Sequence, residues 1–75
     1  MEKINIQVML KDGSLSSFDI TITGKSELFT IEQQGTICAR FKPNTDGSWT
    51  LLENPAEISD DLRRRIENQL NGLLG

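Results

Sequence analysis

Three consecutive arginines at positions 63–65 are the residues of this 75-residue chain most typical of a nucleic-acid contact. On a helix, successive side chains are about 100° apart, so the three guanidinium groups point in different directions and form no single patch. Each arginine also has an acidic residue four positions away: Asp60 for Arg64, Asp61 for Arg65 and Glu67 for Arg63. Such pairs cancel most of the local positive charge. We interpret the run as part of a solvated, ion-paired helix.

The side chains needed for common enzyme chemistry are scarce. The chain contains no histidine, which excludes histidine-based triads and histidine metal ligands. Cys38 is the only cysteine, and no histidine can lower its pKa to make it a nucleophile. Its neighbours Ile37 and Ala39 are predicted to face the core, which places Cys38 on the outer face as an incidental thiol. The sequence therefore predicts no enzyme, no catalytic residue and no cofactor.

One segment resembles a calcium-binding loop. In residues 42–53, KPNTDGSWTLLE, an asparagine, an aspartate and a glycine occupy the third, fifth and sixth positions of an EF-hand loop, and Glu53 occupies the twelfth. The first position is Lys42, however, and an ammonium group there repels the ion. The same residues are also typical of a hairpin turn. We therefore predict a turn and no metal site.

Composition indicates a globular protein rather than a disordered one. Hydrophobic residues make up 36% and charged residues 25% of the chain, and the net charge is -3. A single cysteine provides no disulfide framework, which favours the cytoplasm. The first ten residues do not resemble a signal peptide, and no apolar run approaches the length of a membrane span, so no membrane association is expected.

Most of the chain alternates between apolar and polar residues, the period of a half-buried strand. Five such segments are separated by glycine-bearing turns. Their apolar positions are Ile4, Ile6, Val8 and Leu10; Phe18, Ile20 and Ile22; Phe29 and Ile31; Ile37, Ala39 and Phe41; and Trp49 and Leu51. The pattern predicts a five-stranded antiparallel β-meander with one apolar face.

Loop length and face parity together predict the register, because cross-strand partners point to the same face. A three-residue loop 11–13, with Gly13 in a bulge, sets Ile6 opposite Phe18. A two-residue turn at 24–25, a three-residue loop at 33–35 and a five-residue loop at 43–47 give the other partners. These are Ile20 opposite Phe29, Ile31 opposite Ile37, and Phe41 opposite Trp49.

The C-terminal residues change period. Leu62, Ile66, Leu70, Leu73 and Leu74 recur at helical spacing and form one apolar stripe. Ser59 is the preferred N-cap, followed by acidic residues that favour the positive end of the helix dipole. Asn54 is an alternative start, since a proline follows it at once. Residues 1–75 are therefore predicted to form a single βββββα domain of the α+β class, with the helix packed across one face of the sheet.

Two functions remain open for the surface of this domain. The outer sheet face is polar and slightly basic, and its apolar members are Met9, Leu28 and Leu52. Single-stranded nucleic-acid binders of the Whirly and PUR type contain meander-plus-helix units, but this is an analogy of fold only. Such binders stack bases on aromatic side chains, which this face lacks. Nucleic-acid binding is therefore the alternative and is not expected.

A geometric mismatch favours association with another protein chain. Five strands span about 20 Å, whereas one helix covers about 10 Å, so part of the apolar face should remain uncovered unless the sheet curls. Edge strands also invite pairing. We predict a non-catalytic, self-associating or protein-binding module, in the simplest case a homodimer. Its possible interface residues are Trp49, Leu28, Leu52 and Met9, with Trp49 favoured because aromatic residues are enriched at interfaces.

Overall fold

The computed structural model describes residues 2–25 and 27–74, with only the backbone of Leu74. Five antiparallel strands form one sheet in the order β1-β2-β3-β4-β5, and a helix follows them. The elements are β1 Glu2–Met9, β2 Leu15–Thr23, β3 Leu28–Gln33, β4 Thr36–Pro43, β5 Trp49–Glu53 and α1 Asp60–Leu74. The predicted α+β meander is confirmed. No helix among the described residues has both the length and the apolar character to cross a bilayer.

The hairpin between β1 and β2 has the predicted register. Ile6 lies opposite Phe18, and Ile4 lies opposite Ile20. Three residues separate the closing pair, in which the Leu10 amide donates to the Ser14 carbonyl at 2.7 Å. Gly13 has a φ of 88°, a left-handed conformation that favours glycine. This is a type I turn followed by a glycine bulge, the loop that keeps both apolar sets on one face.

The hairpin between β4 and β5 uses the same turn. Asn44 and Ser48 close it through a 2.8 Å amide-to-carbonyl bond, and Gly47 has a φ of 90°. In both turns the aspartate Oδ1 accepts bonds from the hydroxyl and the amide of the serine two residues later, at 2.6–3.0 Å. These bonds lower the pKa of Asp12 and of Asp46 below the ordinary value of 3.8, the serine hydroxyl having the larger effect and the serine amide the smaller.

Replacing Ser48 by alanine should therefore raise the pKa of Asp46 towards its ordinary value, because the hydroxyl bond that favours the carboxylate is lost. The folded-state pKa is the lowered one, so the bond stabilises the fold above the ordinary value, and this contribution disappears as pH falls through the folded-state pKa. A carboxyl-carbon NMR titration measures the shift. Asp12, bonded to the untouched Ser14, is the internal control, and an unmoved Asp46 would contradict the assignment.

The β2–β3 and β3–β4 registers differ from the predicted ones by two residues each. Ile20 lies opposite Ile31 rather than Phe29, because Thr23 pairs with Leu28 and four residues, not two, separate the paired ends of the strands. Ile31 lies opposite Ala39 rather than Ile37. Here the turn is the two-residue Gln34–Gly35, with φ values of 53° and 80°, as a type I′ hairpin requires. The two-residue shift between β2 and β3 preserves the facing of every side chain in that hairpin. Between β3 and β4, Ile37 lies opposite Glu32 of the outer face and is absent from the core, so the prediction that Ile37 belongs to the apolar face is wrong.

Two β-bulges complete the correction. The β3–β4 register skips Cys38, and the β4–β5 register skips Leu52. Phe41 lies opposite Leu51 and not opposite Trp49, because the loop between β4 and β5 covers residues 45–47 rather than the predicted 43–47. A bulge breaks the alternation of the strand that carries the extra residue. Cys38 is consequently buried in the core, and the prediction that it lies on the outer face is wrong. Bulges also increase the local twist and bend of a sheet.

Helix α1 is capped at its start by Ser59, as predicted: the Ser59 Oγ accepts a bond from the Leu62 amide at 3.1 Å. Asn54 caps a turn rather than a helix, since its Oδ1 accepts from the Ile58 amide at 2.9 Å. The half-buried Ile58 and Leu62 pack against the core. Leu73 is 44% exposed at the other end of the stripe, and the side chain of Leu74 lies outside the described residues.

The helix contacts both edges of the sheet, which therefore curls around it. Arg65 and Gln69 donate to carbonyl groups of β1 at 3.0 and 3.3 Å. Farther along the helix, Asn71 accepts a 2.7 Å bond from the indole N–H of Trp49 on β5. The centres of both apolar layers are fully buried: Ile20, Phe29, Ile31, Ala39, Phe41, Ile66 and Leu70. Because the sheet curls, one helix covers the centre of the apolar face, while Ile4, Ile22 and Leu51 at its margins are half-buried.

Candidate interaction surface

The edge of β1 is closed by side chains of the helix. The β1–β2 closing pair of Leu10 and Ser14 is hydrogen-bonded, so strict alternation turns the backbone groups of Gln7 and Met9 away from β2. The carbonyls of these two residues accept bonds from Gln69 and Arg65. A strand from another chain that paired along this half of β1 would have to displace both helix side chains.

The edge of β5 has no such cover. The closing pair of Asn44 and Ser48 is hydrogen-bonded, so the pairs Lys42/Thr50 and Pro43/Trp49 alternate between bonded and non-bonded. Trp49 and Leu51 therefore direct their backbone N–H and C=O groups away from β4. No side chain in the described part of the protein donates to or accepts from these groups, in contrast to the two β1 carbonyls.

Pro43 agrees with this assignment, because a proline has no N–H and is tolerated where the strand partner needs none. It lies opposite Trp49, in the non-bonded position. This proline is the sequence signal that could have identified the outward-facing residues of β5. The signal becomes useful only after the register of the hairpin is known, and the sequence prediction placed that register two residues away.

The four predicted interface residues lie in different settings. The side chain of Trp49 belongs to the core, where its ring packs edge-on to Phe29 with centroids 5.0 Å apart and to Phe41 at 6.5 Å. Leu28 is half-buried at the start of β3. Met9 and Leu52 are 56% and 50% exposed, but they lie on the first and last strands of the sheet. The four residues therefore form no single patch, and Leu52 alone adjoins the open edge with an exposed side chain.

The outer sheet face is polar and carries no aromatic ring. Phe18, Phe29, Phe41 and Trp49 are all buried on the helix side. Near the centre of the outer face, Thr30 is buried beside its cross-strand partner Arg40. The guanidinium of Arg40 pairs with Glu53 at 3.1 Å. The face therefore offers no stacking platform for bases, and one of its cations is neutralised within the protein.

Two of the three arginines at positions 63–65 form ion pairs within the helix. Arg63 pairs with Glu67 at 2.8 Å, and Arg65 pairs with Asp61 at 2.9 Å, as predicted. The predicted pair of Asp60 and Arg64 is not formed among the described residues, and both side chains are exposed. Asp60, Arg63, Arg64 and Glu67 line a shallow groove on the helix surface. Its mixture of two acids and two bases has no strong bias towards an anionic ligand.

The Cys38 thiol and the polar side chains of residues 42–53 take part in the packing and hydrogen bonding of the fold. Burial raises the pKa of the Cys38 thiol, which makes it a weaker nucleophile at neutral pH. In the calcium-like segment, Asn44 and Asp46 accept hydrogen bonds from Thr50 and Ser48, and Glu53 pairs with Arg40. No group of three or more potential metal-ligating side chains occurs in residues 2–25 and 27–74. The segment forms a hairpin turn.

Comparison with known proteins gives no relative: neither a protein-family model, nor a curated protein, nor a solved structure matches the chain.

Proposed function

We propose that this protein is a non-catalytic protein-binding module that accepts an added β-strand at the open edge of β5. The observation that carries this proposal is the contrast between the two sheet edges. Helix side chains occupy outward carbonyls of β1, whereas the outward groups of Trp49 and Leu51 on β5 receive no bond from the described part of the chain. Main-chain bonds to an exposed edge are a general means of recognising an extended segment.

The composition of β5 supports the same proposal. Natural sheets protect their edges with charges, prolines or bulges. From Trp49 to Leu52 the strand carries no charge and no proline, and its bulge comes only at Leu52. The first charged residue, Glu53, is engaged by Arg40. The three residues before the bulge, Trp49, Thr50 and Leu51, therefore carry no charge, proline or bulge.

A non-catalytic role is consistent with the chemistry of the chain. It has no histidine, and burial raises the pKa of its one thiol. A cytoplasmic location is part of the proposal and rests on the single cysteine, which is typical of a reducing compartment.

Backbone N-methylation at Leu51, introduced by chemical synthesis, should abolish partner binding. It removes the outward N–H and adds bulk at the edge, while the side chain and the bonds to β4 remain. Affinity capture from extracts of the native host, with bound proteins identified by mass spectrometry, measures the effect. We expect proteins recovered with the unmodified chain, further copies of this chain included, to be lost.

The matched control is N-methylation at Lys3, which by the same alternation faces outward on β1. It should leave capture unchanged. Thermal unfolding of both synthetic proteins verifies that they are folded. Recovery of the same proteins with Leu51 methylated would place binding elsewhere, and recovery of none with any version would remove the proposal.

A further inference from the structure

We propose that the strand added at this edge is β5 of a second copy of the chain, antiparallel and related by a two-fold axis at Thr50. This inference rests on the proposed function and specifies its partner. The resulting assembly is a continuous sheet in which β5 of each copy is an interior strand.

The axis position follows from which backbone groups are free. In antiparallel pairing, two outward-facing residues exchange both N–H···O bonds only when they lie directly opposite each other. Trp49 and Leu51 are the outward-facing residues of β5 before its bulge. A two-fold axis at Thr50 places Trp49 of each copy opposite Leu51 of the other, so every one of these groups is bonded. An axis at Leu51 would instead pair Trp49 with Glu53, which lies beyond the bulge, where strict alternation no longer holds.

The side chains fit this arrangement on both faces. On the outer face, the exposed Thr50 of one copy lies directly opposite Thr50 of the other, in the non-bonded geometry where Cα atoms are about 4.5 Å apart. Threonine pairs at such positions are favourable. On the helix side, the half-buried Leu51 gains a neighbour in Trp49 of the other copy. Residues 49–52 are uncharged, so no like charges face each other near the axis.

Strand β1, at the other edge of the sheet, is less suited to two-fold pairing with a second copy. Half of β1 is bonded to Arg65 and Gln69, and its other half begins with the charged residues Glu2 and Lys3. A self-pairing strand at β1 would have to break helix contacts or bring these charges close to an axis. A second copy is therefore accommodated at β5.

Charge substitution at the axis tests the proposal. Thr50→Lys and Thr50→Glu each bring two like charges into direct opposition, so each variant alone should be monomeric. An equimolar mixture should form a dimer again, because opposite charges then face each other. Sedimentation equilibrium at protein concentrations from about 10 μM to about 1 mM measures the association, because an interface of this small area is expected to bind weakly. The unmodified chain should change over this range from 8.4 kDa towards twice that mass.

Thr23→Lys is the matched control, because Thr23 is an exposed threonine near the end of another strand. It should associate as the unmodified chain does. A mass of 8.4 kDa at every concentration for the unmodified chain would overturn the second-copy inference. So would a dimer that both Thr50 variants retain, or a mixture that stays monomeric. If capture nevertheless depends on the Leu51 amide while the chain is monomeric, the edge binds a strand of a different protein, and only the proposed function survives.

Discussion

Leu70→Ala is expected to lower the free energy of unfolding by about 2–5 kcal/mol, the range for a large-to-small change in a closely packed core. Leu70 is fully buried on the helix stripe, where it and Ile66 face the apolar layer of the sheet. Alanine retains the helix propensity, so the loss reflects the cavity and not the helix itself. Urea denaturation followed by circular dichroism measures the change, with the slope of the transition checked for constancy.

Arg64→Ala, six residues earlier on the same helix, is the control. Arg64 is exposed and forms no ion pair with a described residue, so its removal should change the stability by no more than about 0.5 kcal/mol. If the arginine change costs more than the leucine change, the assignment of the helix faces is reversed.

Phe29→Ala is expected to cost about 3–5 kcal/mol, the largest effect of any substitution considered. Phe29 is fully buried on the central strand and packs against the indole of Trp49, whose ring centroid is 5.0 Å away at a nearly perpendicular angle. Removing the ring loses its burial and leaves the indole without its closest aromatic neighbour. Urea denaturation monitored by Trp49 fluorescence measures both the stability and the change around the indole.

Leu28→Ala separates the two faces of the same strand. Leu28 is the adjacent residue and lies half-buried on the outer face opposite Thr23. Partial burial of a leucine predicts a loss of only about 1 kcal/mol. Equal costs at the two positions would contradict the separation of an inner and an outer face.

Strand positions and faces were predictable because they depend on local chemistry. The alternation at Ile4, Ile6 and Val8 is a period of two that only a strand converts into one apolar face. The turn at Gly13 was predictable for a related reason: a left-handed residue is needed there, and glycine adopts that conformation without steric cost. Ser59 was recognisable as the helix cap because its hydroxyl satisfies an amide that no helical carbonyl can reach.

Register was only partly predictable, because facing is unchanged when a strand slips by two residues. Ile20 could lie opposite Phe29 or Ile31 with the same side chains in the core, and the structure selects Ile31. The bulges at Cys38 and Leu52 were not predictable from parity, since a parity test assumes that alternation is unbroken. The misplaced Cys38 is a direct result of that assumption.

The difference between the open edge of β5 and the closed edge of β1 depends on the tertiary structure, whereas the presence of the strands does not. The sequence by itself determined the fold class, most of the apolar face, the first hairpin, the helix start and the absence of histidine chemistry, because each depends on residue type and short spacing. Only the tertiary structure decided that the sheet curls until one helix bonds to both edge strands, which buries Trp49 and closes half of β1. These contacts join residues 22 to 62 positions apart, and which distant groups meet is set by the twist and bulges of the whole sheet.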